Sequence, residues 1–477
     1  MKTLKENLPK ERKPILIETN NCIKLKNITY IHDYSKFDKI IIQPFKNVIR
    51  ENYVEKFVNT CDYMFKKVGF GVFVFILNGE IHTFQLFANT TETIPGSQSI
   101  TKKQILRNNK NIVKDNQQKL KTYKKNVKAN IKTRKFGKDI PITNKKRMGY
   151  HYCLFKSYNN WWKREHDKSI YFNLIQTCLK GTNITTCFFL NLYTFPVLYK
   201  RKCNQYILHQ DVCEKNSLEQ NKYIPVLSGA TTKEHFDKCI VYSDAWEVIT
   251  KKKFGVICSN NFTDSFGKIN TNWESKKNAI IFRGENKTCY QTDETKNERI
   301  RTLKILNEIK NDNKLDIEID TGLVFSKSKT LYIDNKMNTS NDKQVLKSIG
   351  VNNFVDVVPM YKQSDSKYIL DIDGHANPWR ISFELSYNSC IIVMLSKYFS
   401  WFYDKLQHMK NVYIIDVNSK TLEEDLYKCI KLLERNDKIG KKIAEGGVAL
   451  YNEIMNVRYV KEYMTNLLRE KDFDIII

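Results

Sequence analysis

The chain has 477 residues, of which 41% are hydrophobic and 12% aromatic, and its formal net charge is +27. This length and apolar content are sufficient for two globular domains with appendages. The longest apolar runs, such as residues 72–77 and 390–395, are far shorter than the roughly 20 residues that cross a bilayer. The composition therefore excludes a helical membrane span.

The cysteine pattern and the N-terminus indicate a reducing compartment. Twelve cysteines are scattered from Cys22 to Cys429, with no C-x-x-C pair and no His/Cys cluster at metal-ligand spacing. This pattern disfavours both a disulfide framework and a structural zinc site. Residues 1–14 are charged and lack the apolar core of a secretory signal. We therefore expect a cytoplasmic protein without a signal peptide or membrane span.

Residues 1–100 predict an N-terminal α+β extension. Asn78-Gly79 between two apolar runs is a strong hairpin signal. The predicted elements are a strand at 40–42, a helix at 54–67, and hairpin strands at 70–77 and 81–87.

A basic insert or linker follows at residues 101–148. It holds 17 Lys and Arg against 2 Asp, a surplus of 15 and more than half of the net charge. Its weak apolar periodicity predicts a solvated helix or partial disorder. Such a polycation would release counterions on binding a nucleic acid or another polyanion. No zinc-finger, RNP-like or helix-turn-helix signature accompanies the charge, so nucleic-acid binding is the weaker hypothesis.

The remaining chain predicts two α/β units, residues 149–260 and 261–477. The first contains a helix at 169–180 and a buried strand at 187–192. The second begins with a strand at 279–282 and a helix at 298–310. It then alternates between strands at 368–372, 390–395 and 411–416 and helices at 380–387, 398–406 and 422–435. This alternation favours a parallel sheet covered on both faces.

The stretch 366–403 carries the clearest functional signal, because its order of elements is half of a nucleotide-binding fold. An apolar strand enters Asp373-Gly374, a short loop follows, and a helical pattern begins at Arg380. Free backbone N–H groups and the helix dipole favour an anion at such a position. Arg380 could add a charge-assisted contact.

Three pieces of this sequence resemble glycosyltransferase family 90, and members from large DNA viruses in particular. They are residues 367–374 with Trp379-Arg380, residues 396–403, and residues 279–284 followed by 295–299. The family includes capsule-associated (CAP domain), lipopolysaccharide-modifying and protein O-glucosyltransferase-like enzymes. The resemblance implies an α/β fold with two Rossmann-like domains facing a cleft, the GT-B type, and the nucleotide in the C-terminal domain.

By this resemblance, the chain transfers a sugar, glucose or xylose, from a UDP-sugar to a hydroxyl of a protein or glycan acceptor, with inversion. The expected donor-binding residues come from the 374–380 loop, the end of the strand near 283 and the following helix. They are Arg283, Gly284, Arg299, Gly374, His375, Ala376, Asn377, Pro378, Trp379 and Arg380.

Asp371 and Asp373 form an Asp-x-Asp that also allows a second interpretation. Many other glycosyltransferases hold Mn²⁺ against a diphosphate with such a pair. The family resembled here generally uses arginine and a helix dipole instead. We therefore expect no required cofactor, with Mn²⁺ binding by Asp371 and Asp373 as the weaker alternative.

The catalytic base is where the chain departs from the family pattern. Many members carry Asn-x-Arg-Asp-(Phe/Tyr)-Pro with the Asp as base, whereas residues 191–196 place Thr194 at that position. A threonine hydroxyl cannot usefully accept a proton near neutral pH. Either another carboxylate substitutes, or the chain is a weakened or inactive pseudo-glycosyltransferase that still binds a nucleotide sugar. The nearby carboxylates are Asp211, Asp244 and Glu247, and the expected acceptor side contains Asp244 and Trp246.

Overall fold

The computed structural model describes residues 8–19, 22–27, 29–89, 165–192, 222–232, 239–254, 268–284, 297–312, 315–324, 331–333, 336–338, 354–374 and 378–477. Its strands are β1 (Ile15–Thr19), β2 (Cys22–Lys26), β3 (Tyr30–Ile31), β4 (Phe70–Leu77), β5 (Glu80–Ala88), β6 (Thr186–Asn191), β7 (Val226–Ser228), β8 (Thr231–Thr232), β9 (Lys253–Phe254), β10 (Lys277–Gly284), β11 (Glu318–Val324), β12 (Leu331–Ile333), β13 (Lys336–Asn338), β14 (Phe354–Val355), β15 (Ser366–Ile372), β16 (Cys390–Leu395), β17 (Tyr398–Phe399) and β18 (Tyr413–Asp416).

The α-helices are α1 (Tyr34–Phe37), α2 (Gln43–Lys46), α3 (Glu51–Tyr63), α4 (Glu165–Leu179), α5 (Ser243–Thr250), α6 (Glu298–Asp312), α7 (Met360–Gln363), α8 (Ile381–Glu384), α9 (Leu422–Arg435), α10 (Asp437–Ile454) and α11 (Val457–Leu467). Over the described ranges, none of the helices combines the length and apolarity needed to cross a membrane. The basic insert at 101–148 lies outside the described residues.

The C-terminal sheet has six parallel strands in the order β14-β11-β10-β15-β16-β18. From β10 the chain builds outward through β11 to β14, and then returns to add β15, β16 and β18 on the other side. This is the doubly wound order, in which the strand sequence reverses between β10 and β15. The predicted α/β class and parallel sheet are confirmed.

Both faces of this sheet are buried, as the alternation along β15 shows. Tyr368, Leu370 and Ile372 pack on one face with residues of α6, α9 and α10. Ile369 packs on the opposite face with residues of α8 and α11. Because successive strand residues point to opposite faces, Asp371 lies on the same face as Ile369. The face that α8 covers therefore contains a buried carboxylate.

The N-terminal sheet has the order β3-β5-β4-β6-β7 and contains the predicted hairpin. Asn78 and Gly79 both have positive φ, 52° and 75°, as a two-residue type I′ turn requires. The hairpin pairs with β6 through β4. The strands assigned from sequence to separate units, 1–100 and 149–260, therefore share one sheet.

Strand pairing and the C-terminal tail both connect the two sheets. The β17 strand, which follows the C-terminal sheet strand β16, pairs antiparallel with β8, so that Tyr398 lies opposite Thr232. The C-terminal tail returns to the N-terminal sheet, where the Thr186 hydroxyl donates to the carbonyl of Phe473 at 2.6 Å. Ile476 also forms a bridge with Ile49. The loops at the carboxyl ends of β7 and β16 are thereby held against each other.

Two predicted elements are wrong. Residues 40–42, predicted as a strand, lie in the π-helical segment Asp38–Ile42, where Ile41 and Ile42 are buried. A short apolar run does not distinguish a strand from a buried helix. The predicted helix at 398–406 is β17 followed by the 3-10 turn Tyr403–Lys405. Pairing with β8 overrides the local pattern there.

Candidate functional site

The candidate site lies at the carboxyl ends of two neighbouring strands. β10 ends at Arg283-Gly284, and β15 ends at Ile372, directly before Asp373-Gly374. These strands pair in parallel, with Ile281 opposite Ile369. In doubly wound sheets a crevice opens where the strand order reverses, and ligands bind there. The structure thus brings the two predicted donor-binding segments to one crevice.

Arg299 lies between the two strand ends. It belongs to the first turn of α6, is buried, and donates through Nη2 to the carbonyl of Ile372 at 3.1 Å. A Cβ added to Gly374 would lie 3.1 Å from Nη2, and one added to Gly284 would lie 2.6 Å from Phe282 Cζ and 3.1 Å from Nη1. Both glycines therefore permit a close approach of backbone and guanidinium. This explains two of the predicted glycine positions.

Arg283 is tied to the neighbouring strand β11. Its Nη2 forms an ion pair with Asp320 Oδ1 at 2.7 Å, and its Nη1 donates to the carbonyls of Asp320 and Phe282 at 2.7 and 3.0 Å. Its Nε is buried without a hydrogen-bond partner among the described residues. Because Asp320 offsets the charge of Arg283, Arg283 contributes to the crevice mainly through its position at the end of β10.

Arg380 immediately precedes α8 and lies at the same strand ends. Its Nε lies 3.0 Å from Glu384 Oε1 and 3.5 Å from Asp371 Oδ1, while its Nη1 lies 3.4 Å from the carbonyl oxygen of Arg283. Its guanidinium carbon is 5.5 Å from the centroid of the Phe282 ring, a cation–π distance. None of these contacts involves Nη2.

Four buried carboxyl groups surround these arginines. Burial raises the pKa of Asp371 to about 6 and that of Glu384 to about 8, against the opposing effect of Arg380. Burial also raises the pKa of Asp373 and that of Glu298, and the pKa of Asp373 is raised further by Glu298. Burial therefore disfavours the ionised form of each of these acids. An acid that stays protonated leaves guanidinium charge uncompensated in a region shielded from water, which suits an anion.

Asp371 and Asp373 do not fit a manganese site. Asp371 is paired with Arg380, and Asp373 Oδ2 accepts a hydrogen bond from the Ser396 hydroxyl. Both carboxyls are buried. Over the described ranges, no group of three Asp, Glu, His or Cys side chains could hold a metal ion. The Arg380 guanidinium lies beside Asp371 and would repel a dication there.

The loop before α8 is partly described. Pro378 is buried, and the half-buried Trp379 ring makes an edge contact with Phe383, with 5.6 Å between ring centroids. The Ser382 hydroxyl donates to the carbonyl of Trp379 at 2.9 Å. These contacts fix the exit of the loop at Arg380. His375, Ala376 and Asn377 lie outside the described residues.

Tyr242 lies next to the end of β7, where a Cβ added to Gly229 would be 3.0 Å from the Tyr242 ring. Asn191, at the end of β6, donates to the hydroxyl of Ser228, at the end of β7, at 3.0 Å. Burial raises the pKa of the Tyr242 hydroxyl, and the nearby Asp373 and Asp244 raise it further. Tyr242 is therefore near both Asp373 and Asp244. Asp244 itself is half-buried in the first turn of α5.

The structure describes the predicted site residue Trp246 but not Thr194. Trp246 is fully buried, and its Nε1 donates to Asn173 Oδ1 at 3.0 Å. Its indole is a core side chain and is not available to stack on a sugar, contrary to the prediction. The amphipathic pattern of α5 does not specify which aromatic faces the core. Thr194 and Asp211 lie outside the described residues, and Glu247 is buried.

Several residues of the site were not predicted from the sequence, among them Glu384, Asp320 and Ser396. Glu384 follows Arg380 at the i, i+4 spacing of helical ion pairs, and this spacing was a usable signal. Asp320 and Ser396 reach Arg283 and Asp373 only through strand pairing. No local pattern indicates those contacts.

The fold and site are those of a doubly wound α/β domain with an arginine-rich crevice at its strand-order reversal. Residues 208–471 match the model of glycosyl transferase family 90. The match covers more than half of the chain, and the chain belongs to this family. The matched range begins after Thr194.

Two viral proteins are similar in sequence. Uncharacterized protein 179R of Invertebrate iridescent virus 6 is 25% identical over 321 residues, which is 59% of this chain and 26% of that protein. Uncharacterized protein 035R of Invertebrate iridescent virus 3 is 24% identical over 288 residues, or 59% of this chain and 24% of that protein. The chain thus spans about a quarter of the length of these curated relatives.

Similar solved structures include Anabaena Alr3699/HepE in complex with UDP-glucose, at 9% identity and a TM-score of 0.30, covering 52% of this chain and 64% of that one. A glycosyltransferase from Rickettsia africae ESF-5 is 10% identical with a TM-score of 0.31, covering 72% and 88% of the two chains.

Proposed function

We propose that this chain is an inverting glycosyltransferase that transfers glucose or xylose from a UDP-sugar to a hydroxyl of a protein or glycan acceptor. One observation carries the proposal. In a member of glycosyl transferase family 90, Arg299 and Arg380 lie at the crevice where the strand order of the C-terminal sheet reverses. Nucleotide ligands of doubly wound sheets bind at this position.

The donor diphosphate is the group that this crevice would hold. Negative charge develops on the diphosphate as the bond to the sugar breaks, so fixed cations lower the barrier. Arg299 is held by the carbonyl of Ile372, and Arg380 by two carboxylates and the carbonyl of Arg283. Both guanidiniums are therefore pre-positioned. We infer that these arginines, rather than a metal ion, neutralise the leaving group.

The acceptor would approach from the N-terminal sheet, in a GT-B-like arrangement with the donor in residues 261–477. The N-terminal half departs from the expected Rossmann-like sheet, because β4 pairs antiparallel with both β5 and β6. Support comes from the β8–β17 pairing and from Tyr242, which lies near both Asp244 and Asp373. The carboxyl ends of β7 and β16 therefore meet across a shared boundary. A sugar bound beside Asp373 would lie between the two sheets.

Inversion requires a base that deprotonates the acceptor hydroxyl. Thr194 cannot serve, so a carboxylate near the boundary, with Asp244 as the first choice, would have to replace the family's aspartate. The alternative is a pseudo-glycosyltransferase that keeps the donor crevice and has lost turnover. The presence of Thr194 at the position of the base favours this second function.

Donor binding is tested first by calorimetry and thermal-shift measurements with UDP, UDP-glucose, UDP-xylose and ADP-glucose. The proposal expects saturable binding of the UDP compounds and a higher melting temperature in their presence. Absence of binding by every nucleotide sugar would overturn it. Nucleic-acid binding through residues 101–148 would then be the remaining hypothesis.

A further inference from the structure

Two buried carboxyl groups share one guanidinium at the base of the crevice. Asp371 and Glu384 both contact Nε of Arg380, at 3.5 and 3.0 Å, and each side chain is only 1% exposed. Asp371 Oδ1 and Glu384 Oε2 make no hydrogen bond to any described residue. One cation cannot fully compensate two buried anions, so the ionisation of both acids together is disfavoured.

The other charged and titratable groups near Arg380, Asp371 and Glu384 do not remove this imbalance of charge. Arg299 is a second cation near Asp371 and lowers its pKa, but burial still raises the pKa of Asp371 and that of Glu384. Tyr387 lies near Glu384, and Tyr403 lies near Arg380.

Burial raises the pKa of Tyr387, so this hydroxyl is neutral across the physiological range. Burial also raises the pKa of Glu384 to about 8, above the value of about 6 for Asp371. Burial therefore favours a protonated acid within this pair, with the larger rise in pKa on Glu384.

We propose that Glu384 is a positioning residue for Arg380 and shares one proton with Asp371, so that binding of a diphosphate at Arg380 is coupled to proton uptake by this pair. The inference rests on the proposed function, because a diphosphate is the ligand assigned to the crevice. It adds a role for a carboxyl group that does not itself contact the donor.

The coupling has a definite sign. A bound diphosphate competes for the charge of Arg380, which weakens the stabilisation of the neighbouring carboxylate and raises the pKa of the pair. A group with a higher pKa in the bound state makes binding tighter at low pH, and this gain is lost as pH rises through the bound-state pKa. The Kd for UDP should rise by about three- to tenfold between pH 7.5 and pH 9. The phosphate of UDP titrates near pH 6, so its own charge is nearly constant in this window.

The test is calorimetric titration of UDP into the protein at pH 8 in buffers with different ionisation enthalpies. The slope of apparent enthalpy against buffer enthalpy gives the protons taken up per UDP. We expect uptake of about 0.3 to 1 proton in the wild type. Glu384→Gln keeps an oxygen beside Arg380 Nε but cannot ionise, so it should bind UDP with little uptake and an almost flat Kd between pH 7.5 and 9.

Two further variants distinguish charge from position. Glu384→Ala removes the contact to Arg380 and should weaken UDP binding at every pH. Glu424→Gln is the matched control, because Glu424 is an exposed glutamate paired with Lys428 on α9. Its uptake and pH dependence should match the wild type.

UDP binding without proton uptake, or an unchanged pH dependence in Glu384→Gln, would overturn the inference and leave the proposed function intact. If UDP does not bind, the proposed function fails, and inorganic pyrophosphate becomes the probe. Pyrophosphate itself exchanges protons when it binds, and this contribution is the same for the wild type and for Glu384→Gln. The difference in proton uptake between the two proteins therefore reports the carboxyl pair. Excess uptake by the wild type would still support the coupled pair, while absent binding or equal uptake would overturn it.

Discussion

The Nη1 atom of Arg380 lies 3.4 Å from the carbonyl oxygen of Arg283, although the two residues are 97 positions apart in the chain. This hydrogen bond joins the loop after β15 to the end of β10, across the point where the strand order reverses. Asp371 and Glu384 hold the same guanidinium from the other side. Arg380 is therefore fixed before any ligand arrives, which reduces the ordering cost of binding.

Replacing Arg380 tests this role. Arg380→Lys keeps a positive charge but lacks the planar guanidinium, and we expect UDP to bind ten- to a hundredfold more weakly, corresponding to about 1.5–3 kcal/mol for charge-assisted hydrogen bonds. Calorimetry measures the affinity, and a thermal melt checks folding. Arg458→Lys, at an exposed position on α11, is the matched control. Equal affinities for both variants would remove Arg380 from the donor site.

Gly374→Ala tests the placement of Arg299. The added Cβ would lie 3.1 Å from Arg299 Nη2, so the guanidinium must move by a few tenths of an ångström. We expect UDP affinity to fall several-fold with little change in melting temperature. In an Arg299→Lys background Nη2 is absent, and the further effect of Gly374→Ala should largely disappear. Additive effects would show that the glycine acts independently of Arg299.

Trp246→Phe tests the core position of the indole. The change removes the hydrogen bond to Asn173, and we expect the free energy of unfolding to fall by about 1 kcal/mol or more. Denaturant unfolding measures this loss, and the KM for acceptor should not change. A raised acceptor KM with unchanged stability would instead return Trp246 to the sugar-binding surface.

Thr194→Asp tests the missing base. If the chain is a weakened enzyme, restoring the carboxylate should raise turnover by about a hundredfold, the lower end of general-base catalysis, with unchanged UDP affinity. The paired variant Asp244→Asn tests whether the carboxylate of Asp244 already acts as the catalytic base. Loss of turnover in Asp244→Asn, with donor binding retained, would assign the base to Asp244. Unchanged turnover in both variants would exclude both positions.

Sequence reasoning was most successful where structure is set locally. The Asn78-Gly79 turn and helix α9, predicted at 422–435 and observed as Leu422–Arg435, depend on neighbouring residues. The paired strand β17 was missed because Tyr398 meets Thr232 only in the folded chain. The burial of Trp246 and the pairing of Arg283 with Asp320 likewise depend on tertiary packing. Resemblance identified the arginines, but their carboxylate partners required the structure.

The central claim is tested most directly by measuring UDP release by mass spectrometry from a panel of UDP-sugars, with and without acceptor glycans and EDTA. The account predicts release from UDP-glucose or UDP-xylose that persists in EDTA, because arginines bind the diphosphate, and that falls with Arg380→Lys. Donor binding without release would establish the pseudo-glycosyltransferase. Release that EDTA abolishes, or that Arg380→Lys leaves unchanged, would contradict the account.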